Sequence, residues 1–267
     1  MKNITIEFAF LLAFVLCLAA CDGGSWVDPD TKGSVTIELE NVFGGNPLEF
    51  DRGYTNAQGE KFNIATFDYF ISNIRLRKTD GTEFVVPQDS SYFLVKGEEK
   101  DTHKLKLNNV PGGDYNGLTF TIGVDSLRNT MDISKRTGAL DVGGAAKGMY
   151  WRWNSGYIFL VLEGESEAVP AEKDPENKFR YHIGGFGGFD SKTINNVRTK
   201  TIGFGENRVT VEAGGKPVVY LSVDVAEFFK APTNLSIRQH PDVMFAQYST
   251  AISAQYLNMF KFKNVQN

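Results

Sequence analysis

The chain has 267 residues, with 28 Lys and Arg against 32 Asp and Glu, and a formal charge of -4 with its three histidines neutral. A mildly acidic balance of this kind leaves no basic footprint for nucleic acid, and the length fits one large all-β domain or two small ones. Cysteine is nearly absent, with only Cys17 and Cys21, so a disulfide-rich scaffold is excluded and stability must come from an apolar core.

At the N-terminus, Lys2 precedes an almost wholly apolar run from Phe8 to Ala20. That run is too short to span a bilayer as a stable helix and has the form of a signal-peptide core. It ends in "LAAC", Leu18 to Cys21, which resembles the lipobox of bacterial lipoproteins. The resemblance implies cleavage before Cys21, acylation of its sulfur, and a mature chain tethered to a membrane without a spanning helix. Each buried CH₂ of the lipid adds roughly 0.8 kcal/mol to that tether. Cleavage removes Lys2 and Glu7 together, so the net charge is unchanged, and Cys17 is discarded with the signal. The expected organisation is a signal peptide over 1–20, a flexible Gly-, Pro- and Asp-rich tether over 21–33, and one domain over 34–267.

The domain opens with "SVTIELENV", where Val35, Ile37 and Leu39 alternate with polar residues at the period of a half-buried strand. "ISNIRLRKTDGTEFVV" predicts a hairpin turning at Asp80-Gly81. "SYFLV" and "HKLKLNNV" are further strands, and "PGGDYNG", Pro111 to Gly117, reads as a turn before the strand Leu118 to Val124. The pattern fails between Asp125 and Lys147, which predicts a long loop with a helical turn near Ser126 to Asn129 capped by Asp125. Tyr157 to Leu162 is apolar on both alternating faces and predicts a central strand. If the strand runs unbroken from the tryptophan pair, Trp151, Trp153, Tyr157 and Phe159 share one face.

A polar excursion over Glu165 to Asn177 follows, then the strand "KFRYHIGG", the glycine-rich loop "GGFGGFDSK", and strands in "RTKTIGF", "NRVTVEA" and "KPVVYLSVDV". Glu227 to Lys230 reads as a helical turn, and "TAISAQYLNMFKF" as a short helix or a last strand. Many short strands between Gly-rich turns specify an all-β class: an antiparallel β-sandwich with long loops and one short C-terminal helix.

Catalytic signatures are missing. The chain has no G-x-S-x-G elbow, phosphate-binding loop, HExxH or EF-hand run, and "GGFGG" is not followed by a helix that would receive a pyrophosphate. The expected role is therefore binding rather than enzymatic. The candidates for metal chemistry are the histidines. His103 stands among charges and reads as a surface residue, His182 lies in a strand leading into the glycine loop, and His240 precedes Pro241 with Met244 four residues on. Imidazole and thioether together suit copper, Cu(I) especially.

Four segments, "FDYFISNIRLRKTDG", "GGDYNGLTFTIGVDSLRN", "GMYWRWNSGYIFLVLEG" and "FRYHIGG", occur in the order and spacing of the MbnP-like family of periplasmic copper-binding proteins, which this chain resembles from Ser34 onward. The resemblance implies a β-sandwich, export and copper binding. It also implies a di-haem cytochrome c peroxidase-like partner that oxidises a tryptophan to kynurenine. His182 and His240 fall on the family's histidine positions, and Trp151 and Trp153 fall on its aromatic motif. The chain departs from the family where cysteines often follow the His-Gly motif, and Gln239 stands where a methionine precedes the late histidine. The implied metal site is His182 with His240, with Met244 as a weak soft ligand, Trp151 or Trp153 as the oxidised or relay ring, and Asp125 or Asp242 orienting a histidine. The rival expectation is a metal-free structural or glycan-binding surface lipoprotein on the same fold.

Overall fold

The computed structural model describes residues 31–151 and 156–267. The signal segment, Cys21, most of the tether, and Trp153 lie outside the described residues. In chain order the elements are β1 (Lys32–Phe43), β2 (Asn46–Pro47), β3 (Tyr54–Thr55), β4 (Lys61–Phe62), β5 (Thr66–Lys78), β6 (Glu83–Val85), β7 (Tyr92–Lys96), β8 (Lys104–Pro111), β9 (Gly113–Ile122) and the short helix α1 (Ser126–Thr130). They continue with β10 (Tyr150–Trp151), β11 (Gly156–Glu165), β12 (Lys178–Gly184), β13 (Arg198–Gly203), β14 (Val209–Val211), β15 (Val218–Asp224), β16 (Asp242–Val243), α2 (Ser249–Gln255) and β17 (Phe260–Gln266).

Two sheets face each other. The smaller runs β17–β15–β1, with β8 and the short β2 also on β1. The larger runs β13–β9–β5–β11–β12–β16. Both are mixed rather than purely antiparallel, because β1 pairs with β15, and β12 with β16, in parallel. The alternation read from β1 holds: Val35, Ile37 and Leu39 are buried between the sheets with Leu160, Leu162, Tyr181, Val219 and Leu221. The ambiguous C-terminal stretch supplies both of its readings in succession, α2 and then β17, which pairs with β15.

β11 lies between β5 and β12, and each of its faces meets a core. Leu160 and Leu162 point into the main sandwich. Tyr157, Phe159 and Val161 belong to a second cluster with Phe70, Val124, Leu140 and Met149. The long segment after Val124 closes over that cluster, so it is a folded cover rather than an open loop. Asp125 caps α1 as expected, accepting the Arg128 N–H at 3.0 Å. Two turns of 3₁₀ helix, Ile133–Lys135 and Gly138–Leu140, carry the cover onward.

Two local expectations are corrected. The turn after β8 is shorter than Pro111 to Gly117, because β9 already begins at Gly113, whose φ of +130° makes the reversal in place. His103 is not on the surface. It is 5 % exposed at the end of a 3₁₀ turn, and its Nε2 lies 3.0 Å from the Lys96 carbonyl oxygen.

Candidate metal-binding face

On β12, Phe179, Tyr181 and Ile183 are buried in the main core, so the alternation turns Arg180 and His182 to the opposite face. The register with β11 sets Val161 beside His182 and Glu163 beside Arg180. His182 Nε2 lies 2.5 Å from Glu163 Oε1. That contact is the leading cause holding the Glu163 carboxyl below its ordinary range, against burial, which acts in the other direction. Arg180 pairs separately with Asp174 at 2.9 Å.

The tryptophan motif does not continue β11. Trp151 pairs with Gly156 and Tyr150 with Tyr157, so β10 folds back on β11 as a hairpin whose connection, 152–155, includes Trp153. Trp151 therefore does not share one strand with Tyr157 and Phe159, and Trp153 lies outside the described residues. The break has a physical cause at Gly156, which has a φ of +70° that side-chain-bearing residues avoid. The next amide, Tyr157 N–H, donates to Asn129 Oδ1 at 3.0 Å instead of continuing an extended ladder. The Trp151 ring ends up across Gly184, two residues beyond His182, and packs edge-on against Phe245 at 6.0 Å and 77°.

His240 is placed differently. It precedes β16, its ring stacks on Tyr248 with centroids 4.1 Å apart and planes at 23°, and it lines a hollow of about 190 Å³ with Asp174, Lys178, Arg180 and Asp242. His182 reaches toward β11, on one side of β12, whereas His240 stands on the β16 side. The parallel register pairs Arg180 with Asp242 and Tyr181 with Val243. His240 precedes that pairing and closes a turn, its N–H donating to the Ser236 carbonyl oxygen at 3.0 Å. The two rings have different partners, Glu163 for His182 and Tyr248 for His240. Met244 directly follows β16 and is half-buried.

Neither proposed orienting aspartate serves His182. Asp125 accepts from Tyr92 OH at 2.5 Å and Asn73 Nδ2 at 3.0 Å, below the cover segment. Asp242 lies exposed beside His240. Glu163 fills the role instead. In the sequence it is the first charged residue to break the apolar run of β11.

Among the described residues, no group of three or more His, Cys, Asp or Glu side chains is arranged to hold a metal ion. What His182 offers is narrower. One ring nitrogen is engaged by a carboxylate, which fixes ring orientation in the manner typical of metal-ligating histidines, and Nδ1 is the nitrogen left for a ligand. The Met244 thioether, which follows β16 one residue after the partner of Tyr181, is a soft donor of the kind that Cu(I) favours.

No curated protein matches the chain. Among solved structures, the fold is similar to that of MbnP from Methylosinus trichosporium, with a TM-score of 0.52, 12 % identity, and coverage of 81 % of this chain and 82 % of that one. At that identity the likeness concerns the fold alone. A sequence model of the MbnP family matches residues 32–245, most of the chain, and the chain therefore belongs to the MbnP family.

Proposed function

We propose that the protein is an exported, lipid-anchored copper-binding protein of the bacterial cell envelope, and that it binds its metal rather than catalysing a reaction. The observation that carries the metal reading is the His182–Glu163 contact at 2.5 Å. An imidazole half-buried on a sheet face and locked by a carboxylate is pre-oriented for a ligand. His182 and Met244 are the donors, and Trp151 and Trp153 are the rings open to oxidation. The proposed partner is a di-haem cytochrome c peroxidase-like protein, and kynurenine is the proposed product. Export and anchoring rest on the apolar run ending in "LAAC". Among the described residues, no helix is long and apolar enough to cross a membrane; the lipobox-like "LAAC" is what supports attachment through acylated Cys21.

The test is Cu(I) competition titration of the wild type and the variants His182→Ala, Met244→Ala and His240→Ala, with metal content and intact mass measured on protein from the native envelope. His182→Ala should abolish binding, Met244→Ala should weaken it, and His240→Ala should leave it unchanged. Equal affinity in the wild type and His182→Ala overturns the metal reading and leaves a metal-free scaffold. Cys21→Ser should move the protein from the membrane to the soluble envelope fraction.

A further inference from the structure

We propose that the hollow beside α1 is a binding site for a small oxyanion, bearing a carboxylate or phosphate group, held by Arg128 and Lys135 at the place now taken by the Asp89 side chain. The hollow measures about 430 Å³ and is lined by Ser90, Tyr92, Arg128, Ser134 and Lys135 together with Asp89. That volume corresponds to on the order of a dozen waters, so it suits a molecule of a few heavy atoms rather than a polymer. It shares no residue with the His182 face.

Arg128 is 4 % exposed. Its guanidinium lies over the Tyr92 ring at 4.8 Å and donates to the Lys135 carbonyl oxygen at 2.8 Å. Its Nε is buried without a hydrogen-bond partner. A buried cation needs a counter-charge, and the carboxylate it pairs with is Asp89, whose side chain is 90 % exposed. An exposed ion-pair partner is held weakly, because water and salt compete for it. Asp89 also sits on a three-residue 3₁₀ turn, Gln88–Ser90, outside the sheet ladders, so it can leave without disturbing them. The neighbouring carboxylate cannot replace it. Asp125 is committed to Tyr92 OH, Asn73 Nδ2 and the Arg128 backbone N–H. Arg128 pairs directly with Asp89, and Lys135 lines the same hollow, so both cations border the space an oxyanion would take. A guanidinium presents parallel N–H donors that match a carboxylate or phosphate edge.

Calorimetric and thermal-shift titrations with sodium phosphate and with malonate, against sodium chloride at matched ionic strength, test this on the full chain. Wild-type protein should respond to phosphate or malonate and not to chloride, and the stronger response identifies the preferred oxyanion. Asp89→Asn removes the competing carboxylate and should bind about fivefold tighter, the most that an exposed pair is worth. Lys135→Ala keeps the carbonyl that Arg128 uses and should bind about fivefold more weakly. Both substitutions are at exposed side chains, and far-UV circular dichroism checks that the fold is kept. No response beyond chloride in either the wild type or Asp89→Asn overturns the site. Binding by Asp89→Asn no tighter than the wild type overturns the place assigned to Asp89.

Discussion

Trp151 lies across Gly184. A methyl group at position 184 would stand 2.8 Å from the indole Cζ3 and 2.6 Å from the Tyr157 carbonyl oxygen. The missing side chain on β12 is thus what lets the tryptophan hairpin close onto the sheet next to His182. Gly184→Ala should destabilise the protein by about 1–3 kcal/mol through overpacking and shift the tryptophan emission of the folded state. Urea denaturation followed by fluorescence reads both effects. A variant with wild-type stability and emission would mean that the hairpin tolerates displacement.

Phe159 is fully buried on β11 in the cluster under the cover segment. Phe159→Ala should cost about 3–5 kcal/mol, read as a lower denaturation midpoint at constant slope. A loss below about 1 kcal/mol would mean that the cover collapses to fill the space.

Asn129 joins the cover to the sheet. Its Nδ2 donates to Val124 O at 2.7 Å and Asp125 O at 3.0 Å, and its Oδ1 accepts from Tyr157 N–H at 3.0 Å. Asn129→Ala leaves the buried Tyr157 amide without a partner, a loss of about 1–3 kcal/mol. Amide exchange should show Tyr157 losing protection while β1 keeps its own.

The alternation of β1 and the two-faced apolar run of β11 were legible because period-2 burial writes itself into composition. The second core was half legible. Tyr157, Phe159 and Val161 demanded cover, but nothing local showed that residues 125–149 supply it: the Asp125 cap of α1 is local, whereas the docking of the segment rests on contacts such as Asn129 to Tyr157 that are distant in sequence. The parallel pairing of β1 with β15 was hidden for the same reason. Family position singles out His182 and His240 but says nothing about the partner each ring takes, Glu163 for the first and Tyr248 for the second. Glu163 was readable in principle, because a lone carboxylate ending an apolar strand needs a partner on the neighbouring strand.

Two groups predict an acid-side loss of stability, in separate windows. Burial is the main cause that lowers the His103 pKa and outweighs the Lys96 carbonyl beside Nε2, which acts in the other direction. The unfolded chain therefore takes up a proton below about pH 6.5 that the folded chain resists, and stability falls as pH drops through that value. The Glu163 carboxyl is held low by His182. Its contribution is present above about pH 4.3, the ordinary glutamate value, and is lost as pH falls toward the folded value. His103→Gln retains a donor for Lys96 and should flatten the urea-midpoint profile between about pH 7 and 5. Glu163→Gln should flatten only the part below about pH 4.3. If His103→Gln keeps the full wild-type slope above pH 5, with the slope confined to Glu163→Gln, the buried imidazole is not what the folded state protects from protonation.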